Sequence, residues 1–252
     1  MRFHIILFSL CTIWASVTFS EEQLKVAFGN ALAPWVMPKS NDGIIIDIIT
    51  ESLKPAGYEI SSVYYPYARR IISYRQGLVD VVSDINREVI EREDLHGYFS
   101  DIAYTYINYA IALKRKEYQF KKISDLEQYR LLSWQGATAT LGSEYAEMAQ
   151  NNPFYSEHYD QELQIKMLYL DRVDVIQLDM QIFRYFKSKV SQAGVINTQL
   201  EVDKFPLFGK NDCGFLFRSI EARDTFNKQL KRLRDSGRYD QIYAHYVSIA
   251  RD

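Results

Sequence analysis

Val79-Asp80-Val81-Val82 and Val173-Asp174-Val175-Ile176 are near-copies of one another, and each follows a helix-like segment. An apolar run of this length after a helix reads as a strand buried on both faces. Working back from the first copy, Leu24 to Phe28 predicts a strand and Ile44 to Leu53 a helix ended by Pro55 and Gly57. Ile60 to Tyr65 alternates as a strand, and Pro66 opens a helix that stops at Gly77. Proline suits a first helical turn because its missing N–H has no intrahelical partner there. This β-α-β-α-β order predicts an α/β lobe with a mainly parallel sheet. Before the second copy the pattern restarts, with a strand at Leu131 to Trp134 and helices at Thr138 to Ala149 and Leu163 to Leu170. Two similar lobes follow from the repeat.

The segments between the lobes are as informative. Tyr104 to Leu113 is an apolar, aromatic strand long enough to run from one lobe to the other. Val202 to Phe208, then Gly209, then Cys213 to Phe217 bring the chain back, and helices at Ile220 to Ser236 and Tyr239 to Ala250 close it around a break at Gly237. No Gly/Ser-rich or Pro-rich linker separates the lobes, and two strand crossings without one suit a hinge of limited motion. The expected boundaries are 21–108 for the first part of lobe 1, 109–208 for lobe 2 and 209–252 for the return into lobe 1. Open α/β sheets collect ligands at the carboxyl ends of their strands, here the cleft between lobes.

The chain has 252 residues, 47% hydrophobic and 25% charged, which is globular composition. Its 30 basic and 32 acidic residues are intermixed, and without a basic tract nucleic acid is excluded as the expected partner. The first twenty residues stand apart: Arg2, then an apolar stretch from Ile5 to Phe19, then Thr18 and Ser20 before Glu21. They read as a cleaved secretory signal over 1–20, too short for a spanning helix of ~20 apolar residues. Leu10 before Cys11 does not fit a lipoprotein anchor, which wants a small residue there. Removing that segment leaves Cys213 as the single cysteine, so no intramolecular disulfide is expected. His96, His158 and His245 lack ligand spacing, so neither a metal nor another cofactor is expected. The mature product is expected to be a periplasmic monomer.

At this level the sequence resembles the type II periplasmic binding proteins, in particular extracellular solute-binding protein family three, over nearly all of the mature chain. Ala33-Pro34-Trp35 resembles the family's first-strand loop, and Gly43-Ile44-Ile45-Ile46-Asp47 its Gly-Phe-Asp-x-Asp entry to the first helix. Gly77 to Val82 is similar to the Gly-x-x-Asp-hydrophobic strand, and Phe99-Ser100-Asp101 to the Phe-Ser/Thr-x-Pro-Tyr stretch, displaced by one residue. Gln135-Gly136-Ala137-Thr138 resembles a Gln-Gly-Thr-Thr turn, and Asp171-Arg172-Val173-Asp174 resembles Gly-Arg-Ile-Asp.

The resemblance implies a bilobed receptor without catalytic machinery, closing on a small polar ligand such as an amino acid. It implies that Arg92, twelve residues after Asp80, clamps the ligand carboxylate, and that Asp179 holds its ammonium. The turn at Thr138 would add N–H donors for the same anion, Asp84 another acceptor, and Trp35 an aromatic wall. Each has a plainer alternative: a solvated helix face for Arg92 between Glu91 and Glu93, helix caps for Thr138 and Asp179, core for Trp35. Arg69 and Arg70, just after Pro66, read either as facing the cleft mouth or, the preferred reading, as surface charges. Leu32, Ile45, Ile85, Arg87 and Ala137 depart from the family pattern and remodel the surroundings of that frame. Delivery to an inner-membrane ABC permease is the expected role. The other readings are a sensor without a transporter and a dehydratase on the same fold, which would need a positioned acid or base.

Overall fold

A computed structural model describes residues 22–30 and 32–249. The segment read as a signal, with Cys11 and the junction before Glu21, lies outside the described residues. The chain runs β1 (Glu22–Phe28), α1 (Ile44–Leu53), β2 (Tyr58–Tyr64), α2 (Tyr67–Arg75), β3 (Val81–Ile85), α3 (Arg87–Arg92), β4 (Tyr98–Phe99) and β5 (Tyr104–Leu113). It continues through β6 (Leu131–Trp134), α4 (Ala137–Thr140), α5 (Ser143–Asn151), β7 (Tyr155–His158), α6 (Gln161–Tyr169), β8 (Val175–Asp179) and α7 (Met180–Gln192). It ends with β9 (Val202–Phe205), β10 (Lys210–Phe217), α8 (Ile220–Asp235) and α9 (Arg238–Ile249).

The strand path is β2-β1-β3-β10-β5-β8-β6-β7. Read from its two ends it is nearly symmetric. In each half two parallel pairs (β2-β1-β3 and β7-β6-β8) meet a crossing strand that runs antiparallel to them. β5 pairs with β10 from Tyr104 to Ile107 and then with β8 from Asn108 to Ala112. It therefore changes lobes within a single peptide step, which makes two crossing strands the bridge. Both faces of the first sheet are covered, as parallel strands require. Leu24, Val26 and Phe28 pack with the isoleucines of α1 and with Phe226 and Leu230 of α8, while Ala27 and Val82 pack with Ile71 and Tyr74 of α2.

The repeat quoted at the outset has a matching physical role in each half. Asp80 accepts from the backbone N–H of Lys25 at 2.8 Å, and Asp174 accepts from that of Arg130 at 3.0 Å. Each aspartate stands just before its strand and holds the neighbouring parallel strand by a charge-assisted bond, in the middle of β1 at Lys25 and just before β6 at Arg130.

Several boundaries move. The helix expected over Thr138 to Ala149 is two helices, because Gly142 takes φ 90° between them. The strand expected to reach Phe208 ends at Phe205, since Pro206 has no N–H to donate. The next one begins earlier than expected, at Lys210, where it joins β5. Among the described residues no helix is long and apolar enough to cross a membrane.

Candidate functional site

The structure gives each residue singled out in the sequence a definite set of partners. Asp179 is the last residue of β8 and only 4% exposed. Its Oδ1 accepts from the N–H groups of Gln181 and Ile182, capping α7, and from Trp35 Nε1 at 2.9 Å. Its Oδ2 accepts from the N–H of Ile107, at the step where β5 changes lobes. Burial pushes the carboxyl above its ordinary value against the pull of these donors.

Trp35 is positioned by backbone. Its carbonyl accepts from the N–H of Ile45 in the first turn of α1. Gly43 makes that approach possible: it sits at φ 132°, and a Cβ there would lie 2.6 Å from the Trp35 carbonyl oxygen. The indole is 1% exposed, with ring centroids at 5.9 Å to Tyr104, 4.7 Å to Tyr106 and 5.8 Å to Tyr243. Trp35 and Asp179 are thus brought together, from opposite lobes, as a hydrogen-bonded buried pair. Both line a cavity of about 530 Å³ with Tyr109, Arg184, Tyr239 and Tyr243.

Asp84 sits near the end of β3 at φ 57°, a left-handed conformation that aspartate tolerates better than most residues. Its carboxylate accepts from the hydroxyls of Tyr104 at 3.1 Å and Tyr106 at 2.6 Å, and it pairs with Arg70. Arg70 corrects the expectation of a surface charge, being 4% exposed. The reason is helical period: positions 70, 73 and 74 share the face that α2 presents to β3, and all three are buried. Burial drives the hydroxyls of Tyr104 and Tyr106 far above the usual tyrosine value, so both stay protonated donors to Asp84.

Arg92 is elsewhere. Asn86 caps the start of α3 through the N–H of Val89, and Arg92 is the last residue of that helix. Its side chain is 43% exposed and bonds to the Tyr67 hydroxyl at 3.1 Å and to Glu93 at 3.3 Å. The residues lining the cavity do not include it.

Thr138 does bind an anion, and the anion is internal. Glu157 of β7 takes the N–H of Gly136 at 2.7 Å, the N–H and hydroxyl of Thr138 at 3.0 Å, and the hydroxyl of Tyr155 at 2.8 Å. Neither β7 nor Glu157 was foreseen. The signal was topological: two consecutive helices, α5 and α6, need a strand between them, and Asn152-Pro153 marks where it begins. Burial raises the Glu157 pKa, but the donors outweigh it and hold the carboxyl below its ordinary 4.5. The folded state thus releases this proton more readily than the unfolded chain. Its stabilisation is complete above 4.5 and is lost as pH falls through the folded-state value. Glu157→Gln is expected to cost about 1–3 kcal/mol at pH 7 and less at pH 3, read by urea unfolding at both. An equal cost at the two pH values would refute the charged role.

Among the described residues no cluster of His, Cys, Asp and Glu is placed to hold a metal ion. Cys213 is free and buried.

Comparison with known proteins fits this geometry. The family model of the bacterial extracellular solute-binding proteins, family 3, matches residues 24–249. No curated protein matches the sequence. Among solved structures, the GluR0 ligand-binding core in complex with L-glutamate is similar with TM-score 0.70 and 14% identity, covering 89% of this chain and 98% of that one. The amino acid ABC transporter substrate-binding protein AbpA of Streptococcus pneumoniae, bound to L-arginine, has TM-score 0.64 and 18% identity over 90% and 95%. The ancestral amino acid-binding protein AncCDT-1, a precursor of cyclohexadienyl dehydratase, has TM-score 0.63 and 20% identity over 89% and 95%.

Proposed function

The chain belongs to the bacterial extracellular solute-binding proteins of family 3, and from that premise we propose that it is a periplasmic receptor for a small amino-acid-like zwitterion. Residues 1–20 direct its export, and the mature monomer hands its ligand to an ABC-type permease. Lobe 1 comprises 21–108 and 209–252, lobe 2 comprises 109–208, and the lobes close about β5 and β10. Closure is biased by ligand because only the closed state offers contacts from both lobes.

The observation that carries this reading is Asp179, a buried carboxylate on a cavity wall where the lobes meet. Its charge, among the rings of Trp35, Tyr239 and Tyr243, suits an organic ammonium. Similar structures hold L-glutamate and L-arginine, each with an ammonium and a carboxylate.

A thermal-shift screen of the mature protein against amino acids, polyamines and dicarboxylates tests the proposal. A true ligand at 100 times its dissociation constant adds about 2.7 kcal/mol of stability, a readily measured upward shift. If no amino acid stabilises the protein, the zwitterion reading falls.

A further inference from the structure

Arg70 has more donors than the structure uses. Its partners, Ser83 O at 3.2 Å, Ser83 Oγ at 3.3 Å and the Asp84 carboxylate, all bond to one nitrogen, Nη1. Nε is buried and has no partner, and Nη2 bonds to no described residue. A buried charged donor without an acceptor is costly, so an arginine held this way calls for an explanation. Nε and Nη2 form one edge of the guanidinium, with two parallel N–H groups at the spacing of a carboxylate's oxygens. The edge is pre-organised, because Asp84 and Ser83 fix the opposite nitrogen and the side chain is 5% exposed.

The competing anion receivers are engaged. Arg92 holds Glu93 and the Tyr67 hydroxyl, and the Gly136–Thr138 turn holds Glu157. Arg70 stands beside the carboxyl end of β3 through its pair with Asp84, outside the residues that line the cavity at Asp179. Its cover is a surface ring: the Tyr67 ring lies 5.4 Å from its Cζ, and Tyr67 is 40% exposed.

We propose that Arg70, through its Nε–Nη2 edge, is the carboxylate-binding arginine of this receptor, with Tyr67 as its aromatic cover. This rests on the receptor reading above and specifies its ligand as one bearing a carboxylate that faces lobe 1. Asp84 neutralises the arginine in the empty state and keeps its far edge locked. Arg92 acts as a positioning residue, since its bond to the Tyr67 hydroxyl holds the cover in place.

The test is NMR of arginine-labelled, full mature protein, following the Arg70 Nε–Hε signal assigned through its backbone. The probes are the twenty L-amino acids, acetate and succinate. A binding carboxylate is expected to shift that signal, and Arg70→Lys, which keeps the charge but lacks the edge, should weaken the same probe about 30-fold or more. An amino acid that binds without moving the Arg70 signal, or binds Arg70→Lys as well as wild type, overturns this inference and leaves the receptor reading standing. If Arg70→Lys does not fold, the NMR response alone decides. No amino acid binding together with no response to acetate or succinate overturns both. A response to acetate or succinate alone upholds the arginine and removes the amino acid ligand.

Discussion

Trp35→Ala is expected to destabilise the protein by about 3–5 kcal/mol, the range for removing a fully buried large aromatic. Three ring contacts go at once, to Tyr104 and Tyr106 of the crossing strand and to Tyr243 of α9. The Asp179 carboxylate also loses its indole donor while remaining buried. Trp35→Phe separates the two effects, because it keeps most of the ring and removes only the N–H. It should cost about 1–3 kcal/mol, the penalty for one lost donor to a buried charged acceptor. Urea unfolding of both variants against wild type gives the comparison. A Trp35→Phe protein as stable as wild type would mean that packing alone accounts for Trp35 and that its bond to Asp179 contributes nothing.

The lobes were legible in the sequence because their signals are local. Pro66 and Gly77 bracket a helix, and the paired Val-Asp-Val runs mark β3 and β8, with Asp80 and Asp174 doing matching work in the fold. The site was legible only in part. Asp179 and Trp35, singled out separately in the sequence, meet as a hydrogen-bonded pair. Counting from Asp80 to Arg92 selected a residue at the outer end of α3, since the helix starts at its Asn86 cap and leaves Arg92 a turn and a half beyond it. Arg70 was hidden by its neighbour: two adjacent arginines look solvated, yet a helix turns about 100° per residue and sends Arg70 inward. Glu157 was hidden because β7 lies at the end of the strand path and carries no alternating apolar pattern, so nothing in Tyr155-Ser156-Glu157-His158 announces a strand.

The hidden residues and the legible pair share a property that sequence periodicity does not encode. Arg70, Glu157 and the Asp179–Trp35 pair satisfy charges across chain separations that no local pattern spans. Asp179 ends β8, Glu157 lies one residue from the end of β7, and Arg70 reaches the end of β3 from α2, so polar side chains converge where strands end. The same convergence makes these positions useful to a ligand and costly to disturb.

Asp84→Ala carries the other large expected effect. The substitution leaves the Arg70 guanidinium buried without its counter-charge, for which about 3–5 kcal/mol is the usual penalty. It also places alanine at φ 57°, adding roughly 1–2 kcal/mol of backbone strain. Asp84→Asn is the discriminating control, because asparagine accepts the left-handed conformation and retains one acceptor oxygen for the Tyr104 and Tyr106 hydroxyls. It should therefore cost less than Asp84→Ala while still unmasking the arginine charge. Adding Arg70→Met to Asp84→Asn removes that charge, so the double variant should be more stable than the sum of the two single losses predicts. Urea unfolding of the four proteins at neutral pH closes the cycle. If the two losses simply add, Arg70 and Asp84 do not act as a pair, and the locked arginine edge loses its support.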